Sequence, residues 1–163
     1  MDNGWAGSAA DVAWTAPAGS FKLRAGAIVR DGDRILLCTT DGVDGWYLPG
    51  GKVEFGETAA AAVVRELREE LQLELTIGEL RLVAEDLVTF NGTLYQEVCF
   101  YYAVHWPAPD QALQNPADEH TFRWVHLTDL PGIQLLPPQL GPYLLENPTG
   151  LRHLAIDRRS PAS

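Results

Sequence analysis

Two apolar stretches, FKLRAGAIVR and RILLCTT, lie between Phe21 and Thr40 and read as strands joined by the turn Asp31-Gly32-Asp33. A glycine-rich run, DGVDG, leads to the short apolar WYL and then to Pro49-Gly50-Gly51. Beyond it the period changes. Ala60, Val63, Val64, Leu67 and Leu71 recur at three and four residues, which predicts a helix from about Thr58 to Leu71 with one stripe suited to docking on a sheet. A β-rich segment then runs to about Phe90, Asn91-Gly92 supplies a strong hairpin signal, and Thr93 to Trp106 returns as a second long strand.

With a two-residue turn at Asn91-Gly92, residues whose numbers sum to 183 face each other, so Asp86 opposes Glu97. Like charges across a ladder are unfavourable unless a cation or open water relieves them. Apolar residues on both faces of the returning strand (Leu94, Val98, Phe100 and Val104 against Tyr95, Cys99, Tyr101 and Ala103) predict a sheet covered on both sides. The segment 107–121 is polar, broken by proline and long for a loop in a compact domain, which marks it as functional or disordered. FRWVHL is a further strand, and PPQLGPYLLENP a last short helix. The expected organisation is an extension over 1–19, with Trp5 and Trp14 available for docking, a domain over 20–148 and a tail over 149–163. A helix flanked by strands, with one antiparallel hairpin, gives an α/β fold with a mixed sheet.

Composition narrows the function. Twelve basic against twenty-two acidic residues give a formal charge of −10. Duplex nucleic acid is a poor partner for such a surface, because that binding rests on Lys and Arg neutralising phosphates. A small polyphosphate remains compatible where divalent cations bridge the two sets of negative charge. Cys38 and Cys99 sit in apolar runs and read as reduced core residues. With neither a signal-peptide pattern at Met1 nor a run of about 18 apolar residues, the expectation is a cytoplasmic protein without membrane contact.

The chemistry concentrates between Gly51 and Leu73, GKVEFGETAAAAVVRELREELQL. Glu66, Glu69 and Glu70 fall within roughly a 100° arc of the helix at about 3.6 residues per turn. Crowded carboxylates repel by about 2 kcal/mol per pair at ~7 Å and an effective dielectric of ~20. A bound divalent cation reverses that sign. Arg65 can pair with Glu69 one turn on, or with Glu57 folding back from the preceding loop.

The segment resembles the Nudix box: glycine, five residues, glutamate, seven residues, then Arg-Glu-apolar-x-Glu-Glu-x-Gly-apolar. Gly51, Glu57, Arg65, Glu66, Leu67, Glu69, Glu70 and Leu73 are in register, and Gln72 stands where the family has the second glycine. The resemblance covers 23 of 163 residues and implies an α/β/α sandwich that hydrolyses a nucleoside diphosphate linked to another group. It also implies Mg²⁺ (or Mn²⁺) held by Glu66, Glu70, Glu69 and the carbonyl of Gly50, with an Arg65–Glu57 pair bracing the loop beside Gly51. Glu69 is a further ligand or the base. A carboxylate outside the box can share the catalytic work, and the two candidates are Glu119, with Asp118 as stand-in, and Glu97.

Lys22, Arg24, Lys52 and Arg68 are candidates for substrate phosphate contacts, and Trp46, Phe90 and Tyr95 for base stacking. GWYLPGGK misses the P-loop pattern at Trp46 and Val53, the histidines lack zinc spacing, and no Gly-x-Ser-x-Gly elbow exists. The expected substrate is a small nucleotide, a nucleoside triphosphate or nucleotide sugar, and the expected assembly a monomer or homodimer. The rival reading is a non-catalytic Nudix module that binds a nucleotide and signals to a partner. An intact glutamate set favours the enzyme.

Overall fold

The computed structural model of the protein describes residues 10–109, 113 and 120–159. The strands are β1 (Ala13–Ala16), β2 (Gly19–Asp31), β3 (Arg34–Thr40), β4 (Gly50–Lys52), β5 (Thr76–Phe90), β6 (Thr93–His105), β7 (His120–His126) and β8 (Arg152–Arg158). The helices are α1 (Ala59–Leu71) and α2 (Leu140–Glu146), with a 3-10 turn over Leu127–Gly132. The main path of the sheet is β7-β3-β2-β6-β5-β8, and β1 and β4 both add to β2. The β2–β6 and β5–β8 pairs are parallel and the rest antiparallel, giving the mixed sheet expected.

Strand β2 organises the molecule. One of its edges pairs with β6 from Ser20 to Val29. The other is shared in succession by β1 (Gly19 to Lys22), β4 (Arg24 to Gly26) and β3 (Arg30 and Asp31). Alternate residues of β2 serve different cores, as a two-residue side-chain period requires. Ala25, Ala27 and Val29 meet Val63, Leu67 and Leu71 of α1. Ile28 meets Leu140, Tyr143 and Leu144 of α2 on the opposite face. The sheet between two helical layers is the α/β/α sandwich.

The β5–β6 hairpin has the expected register, with Phe90 facing Thr93 and Asp86 facing Glu97. Asn91 (φ 49°) and Gly92 (φ 76°) both take positive φ, as a tight two-residue turn demands. Cationic side chains meet both members of the Asp86–Glu97 juxtaposition. Arg158 forks onto Asp86, with Nε 2.9 Å from Oδ1, and Glu97 takes Lys22 at 3.0 Å and Arg24 at 3.9 Å.

Segments near both ends join the sheet. Arg152–Arg158 forms β8 and pairs with Leu82 to Val88 of β5, while Ala13–Ala16 pairs with β2. Trp14 lies against Phe21 with ring centroids 4.5 Å apart. Both segments satisfy backbone groups that an open edge of β5 or β2 would leave to water. Cys38 and Cys99 are buried free thiols, and burial pushes Cys99 up to about 12. Among the described residues no helix is long and apolar enough to cross a membrane.

Candidate active site

Helix α1 begins with Thr58 accepting a hydrogen bond from the Ala61 N–H at 3.2 Å, a side-chain cap that fixes where the helix starts. It ends at Gln72, which adopts the left-handed conformation (φ 54°, ψ 33°) and donates its N–H to the Arg68 carbonyl at 2.9 Å. A non-glycine residue thus closes the helix in the left-handed region.

Arg65 gathers the loop and the helix together. It holds both oxygens of Glu57 at 2.7 and 3.2 Å, reaches Oε1 of Glu66 at 2.9 Å and Glu69 at 3.4 Å, and donates to the Lys52 carbonyl at 3.0 Å. Glu57 also accepts from the Glu54 N–H at 2.8 Å. Hydrogen bonding from Arg65 is the main reason that the Glu57 carboxyl lies below its ordinary value. Between the two early alternatives for Arg65, Glu57 receives the stronger, forked contact.

Gly50 and Gly51 bring backbone against this cluster. A Cβ on Gly50 (φ 149°) would lie 2.1 Å from the Ala25 carbonyl oxygen, and one on Gly51 would lie 2.2 Å from the Glu66 carboxylate. At Gly50 the neighbour is backbone, so only glycine lets β4 sit this close to β2, whereas at Gly51 the neighbour is the far end of the Glu66 side chain.

The three glutamates are not equivalent. Glu69 is the most exposed. Glu66 is largely covered, and burial holds its carboxyl above the usual range against the opposing pull of Arg65. Glu70 is buried, its Oε2 has no hydrogen-bond partner, and burial followed by repulsion from Glu66 pushes it up to about 8. A buried carboxylate oxygen without a donor is costly unless something else meets it.

The donor set fits a hard divalent cation on that observation: an orphaned carboxylate oxygen beside a second carboxylate and a backbone strand. Among the described residues no three acidic, histidine or cysteine side chains close into a complete cage. A hard divalent cation keeps several waters and accepts substrate oxygens. His120, at the start of β7, approaches Glu70 with Nε2 3.8 Å from Oε1. The sequence reading, which looked only for zinc spacing, missed it. No local signal marks it, because its place is set by the residue-by-residue pairing of β7 with β3, a long-range register.

The other candidates separate. Lys22 and Arg24 turn to Glu97, and Lys52 sits 3.5 Å from Asp11. Arg24 is close enough to the box to oppose the upward shifts of both Glu66 and Glu70. Burial raises the Glu97 carboxyl, but Arg24 and Lys22 together outweigh it and leave it below its ordinary value. Arg68 bonds Glu74 on the surface, Phe90 is exposed at the hairpin tip, and Tyr95 is buried. Trp46 lies beneath the Arg123 guanidinium, 4.5 Å from ring centroid to Cζ. Asp118, Glu119 and most of the 107–121 segment lie outside the described residues.

A description of the NUDIX domain matches residues 20–145. The chain belongs to the Nudix hydrolase family. It is 38% identical over 113 residues to the CTP pyrophosphohydrolase of Escherichia coli K12, spanning 59% of this chain and 82% of that one. It is 36% identical over 99 residues to the putative 8-oxo-dGTP diphosphatase 2 of Mycobacterium tuberculosis, spanning 59% of this chain and 64% of that one. Among solved structures, a MutT NUDIX hydrolase from Burkholderia pseudomallei superposes with a TM-score of 0.56 at 28% identity, covering 79% of this chain and 98% of the other. The mutator MutT protein of Bacillus halodurans superposes with a TM-score of 0.65 at 21% identity, covering 83% and 89%, and adds support for the fold. The Nudix protein described here is thus an enzyme of the pyrophosphohydrolase type.

Proposed function

We propose that this Nudix enzyme hydrolyses a nucleoside triphosphate or deoxynucleoside triphosphate to the monophosphate and pyrophosphate, using Mg²⁺ or Mn²⁺. The observation that carries the reading is Glu70: a buried carboxylate with an unpartnered oxygen, next to Glu66, whose own carboxylate lies against Gly51. The names of the two relatives differ in the base, cytosine in one and oxidised guanine in the other, and agree on a triphosphate. The triphosphate is accordingly the part proposed here, ahead of a nucleotide sugar.

Glu66 and Glu70 would hold the cation, with Glu69 and the Gly50 carbonyl as further donors. A divalent cation bound there supplies a water of lowered pKa and neutralises charge on the phosphoryl oxygens. The protein's own part is orientation and proton transfer. Arg65 keeps Glu66 pressed against the backbone of Gly51 and ties the helix to Glu57. Glu69, exposed and bound only at its edge by Arg65, is free to turn toward a reacting water and accept its proton. Water adds to phosphorus, the bridging P–O bond breaks, and pyrophosphate leaves. Glu119 is the alternative base. Glu97 is the weaker one, because Lys22 and Arg24 already claim its charge.

The deciding experiment is product analysis with a panel of nucleoside triphosphates and nucleotide sugars, with Mg²⁺ and Mn²⁺ supplied separately. Release of pyrophosphate from a triphosphate, abolished by EDTA, is expected. Full turnover in EDTA would remove the metal from the mechanism. Binding of nucleotides without turnover by any of them would favour the non-catalytic module.

A further inference from the structure

A second cluster of charge lies on the α2 face of the sheet. Arg30 is six residues beyond Arg24 on β2, roughly 20 Å along the strand at about 3.3 Å per residue. With Arg81 of β5 it lines a cavity of about 220 Å³, whose walls include Ile28, Val104 and Leu144. His105, Tyr143 and Asn147 line it as well, and among the described residues no carboxylate does. The pairing of β5 with β6 is irregular here, with register shifts between Ile77 and Leu80 and again between Leu80 and Leu82. Such bulges re-aim side chains and are common beside functional sites.

The two guanidiniums differ from those arginines of this acidic protein that pair with carboxylates. Arg34 pairs with Asp31, Arg65 with Glu57, Arg68 with Glu74, Arg158 with Asp86 and Arg159 with Asp157. Arg30 and Arg81 instead donate one Nη each to carbonyls at the end of α2, those of Leu144 and Pro148. The Nε–H of each is buried and has no hydrogen-bond partner. Holding carbonyls explains one nitrogen per side chain and leaves these donors unexplained. Burial chiefly, and the neighbouring Arg81 charge, hold Arg30 below its ordinary value while Tyr143 opposes them, so the two cations sit close enough to repel. A guanidinium fork matches the paired oxygens of a carboxylate or phosphate.

We propose that this cavity is a second binding site, separate from the box, for a small organic oxyanion: a phosphate or carboxylate head on an apolar body. The head group would meet Arg30 and Arg81, and the body would lie against Ile28, Ala103 and Leu144. The volume suits a molecule of about the size of a single aromatic ring with its head group, well below the ~300 Å³ at which drug-sized pockets begin.

The test is an NMR titration of the ¹⁵N-labelled full chain in EDTA, which keeps phosphates from gathering at the box through a cation. The probes are inorganic phosphate, phenyl phosphate and benzoate. Saturable shifts are expected at the amides of Val104, His105 and Asn147 with phenyl phosphate or benzoate, while Glu66 and Glu70 stay unmoved. The tighter of the two probes identifies the head group. Arg30→Gln and Arg81→Gln should each weaken binding at least tenfold; should either fail to fold, the wild-type titration still decides. No saturable shift with any probe, binding of inorganic phosphate alone, shifts confined to α1, or unchanged affinity in the folded variants would each overturn the proposal.

Discussion

The carboxylate of Glu66 rests against the backbone of Gly51, where an added Cβ would come within 2.2 Å of it. The obstructing atoms are the far end of a flexible side chain. Gly51→Ala should therefore displace Glu66 rather than break the fold. We expect metal affinity to fall at least tenfold, by about 1.4 kcal/mol, with little change in melting temperature. Calorimetric titration with Mn²⁺ beside a thermal melt checks both. A large loss of stability with unchanged metal affinity would show that the glycine serves β4 rather than the glutamate.

Glu70 gives the metal-free protein a pH dependence of known sign. Its folded-state value is raised to about 8, above an unfolded value near 4.5. Its stabilising contribution is present below the unfolded value and is lost as pH rises through about 8, as linkage requires. Cation binding needs the deprotonated carboxylate and so opposes that loss. In EDTA, stability from this group should fall between about pH 4.5 and 8, and the rise in melting temperature on adding Mg²⁺ should grow over the same interval. Glu70→Gln should flatten both trends in paired melts. A metal-induced shift that is constant with pH would contradict the assignment.

In turnover, Glu66→Gln and Glu70→Gln should each cost about a hundredfold or more, roughly 2.7 kcal/mol of barrier. The amide keeps the size and removes the charge. Steady-state pyrophosphate release at saturating cation measures it, and near wild-type rates in both variants would move the site elsewhere.

Glu97 and Glu119 are told apart by stability as well as rate. Glu97→Gln leaves Lys22 and Arg24 partly buried without their carboxylate. Breaking such a pair costs about 3–5 kcal/mol when fully buried, and less here because some water remains. Lower denaturation midpoints are expected, with turnover per folded molecule largely kept. If Glu119 supplies the base, Glu119→Gln should show the reverse: at least a tenfold loss of turnover and an unchanged midpoint. Asp118→Asn should do less than Glu119→Gln. Silence at both positions would leave Glu69 as the base.

Gln72→Gly should stabilise the protein. A left-handed backbone costs a non-glycine residue roughly 1 kcal/mol, and glycine's greater freedom in the unfolded chain returns part of that. A gain of a few tenths to about 1 kcal/mol in urea unfolding is expected, with turnover unchanged. Destabilisation would mean that the glutamine side chain contributes contacts of its own.

What could be read from the residues follows from how local each feature is. The spacing of Glu66, Glu69 and Glu70, the helix they ride on and the Asp86–Glu97 register are consequences of one helical period and one two-residue turn. Parallel neighbours have no such local record. Nothing near Glu97 announces Lys22, which reaches it because β2 and β6 lie side by side over ten residues in a pairing set by the whole fold. The same reason hid β8. RHLAIDR carries only three apolar residues, too few to mark a strand, and its place is decided by an open edge of β5 and by the Arg158 fork onto Asp86.

Strand β8 lies outside the stretch 20–145 by which the family is recognised, yet its Arg158 balances a charge in the middle of the β5–β6 hairpin. The packed unit is therefore longer than the recognisable one. A substitution at Arg158 would leave every residue of the box in place and still surface as lost activity, through molecules that melt early rather than through slower chemistry. Inherited variation in this final strand is best judged by heat, before it is judged by rate.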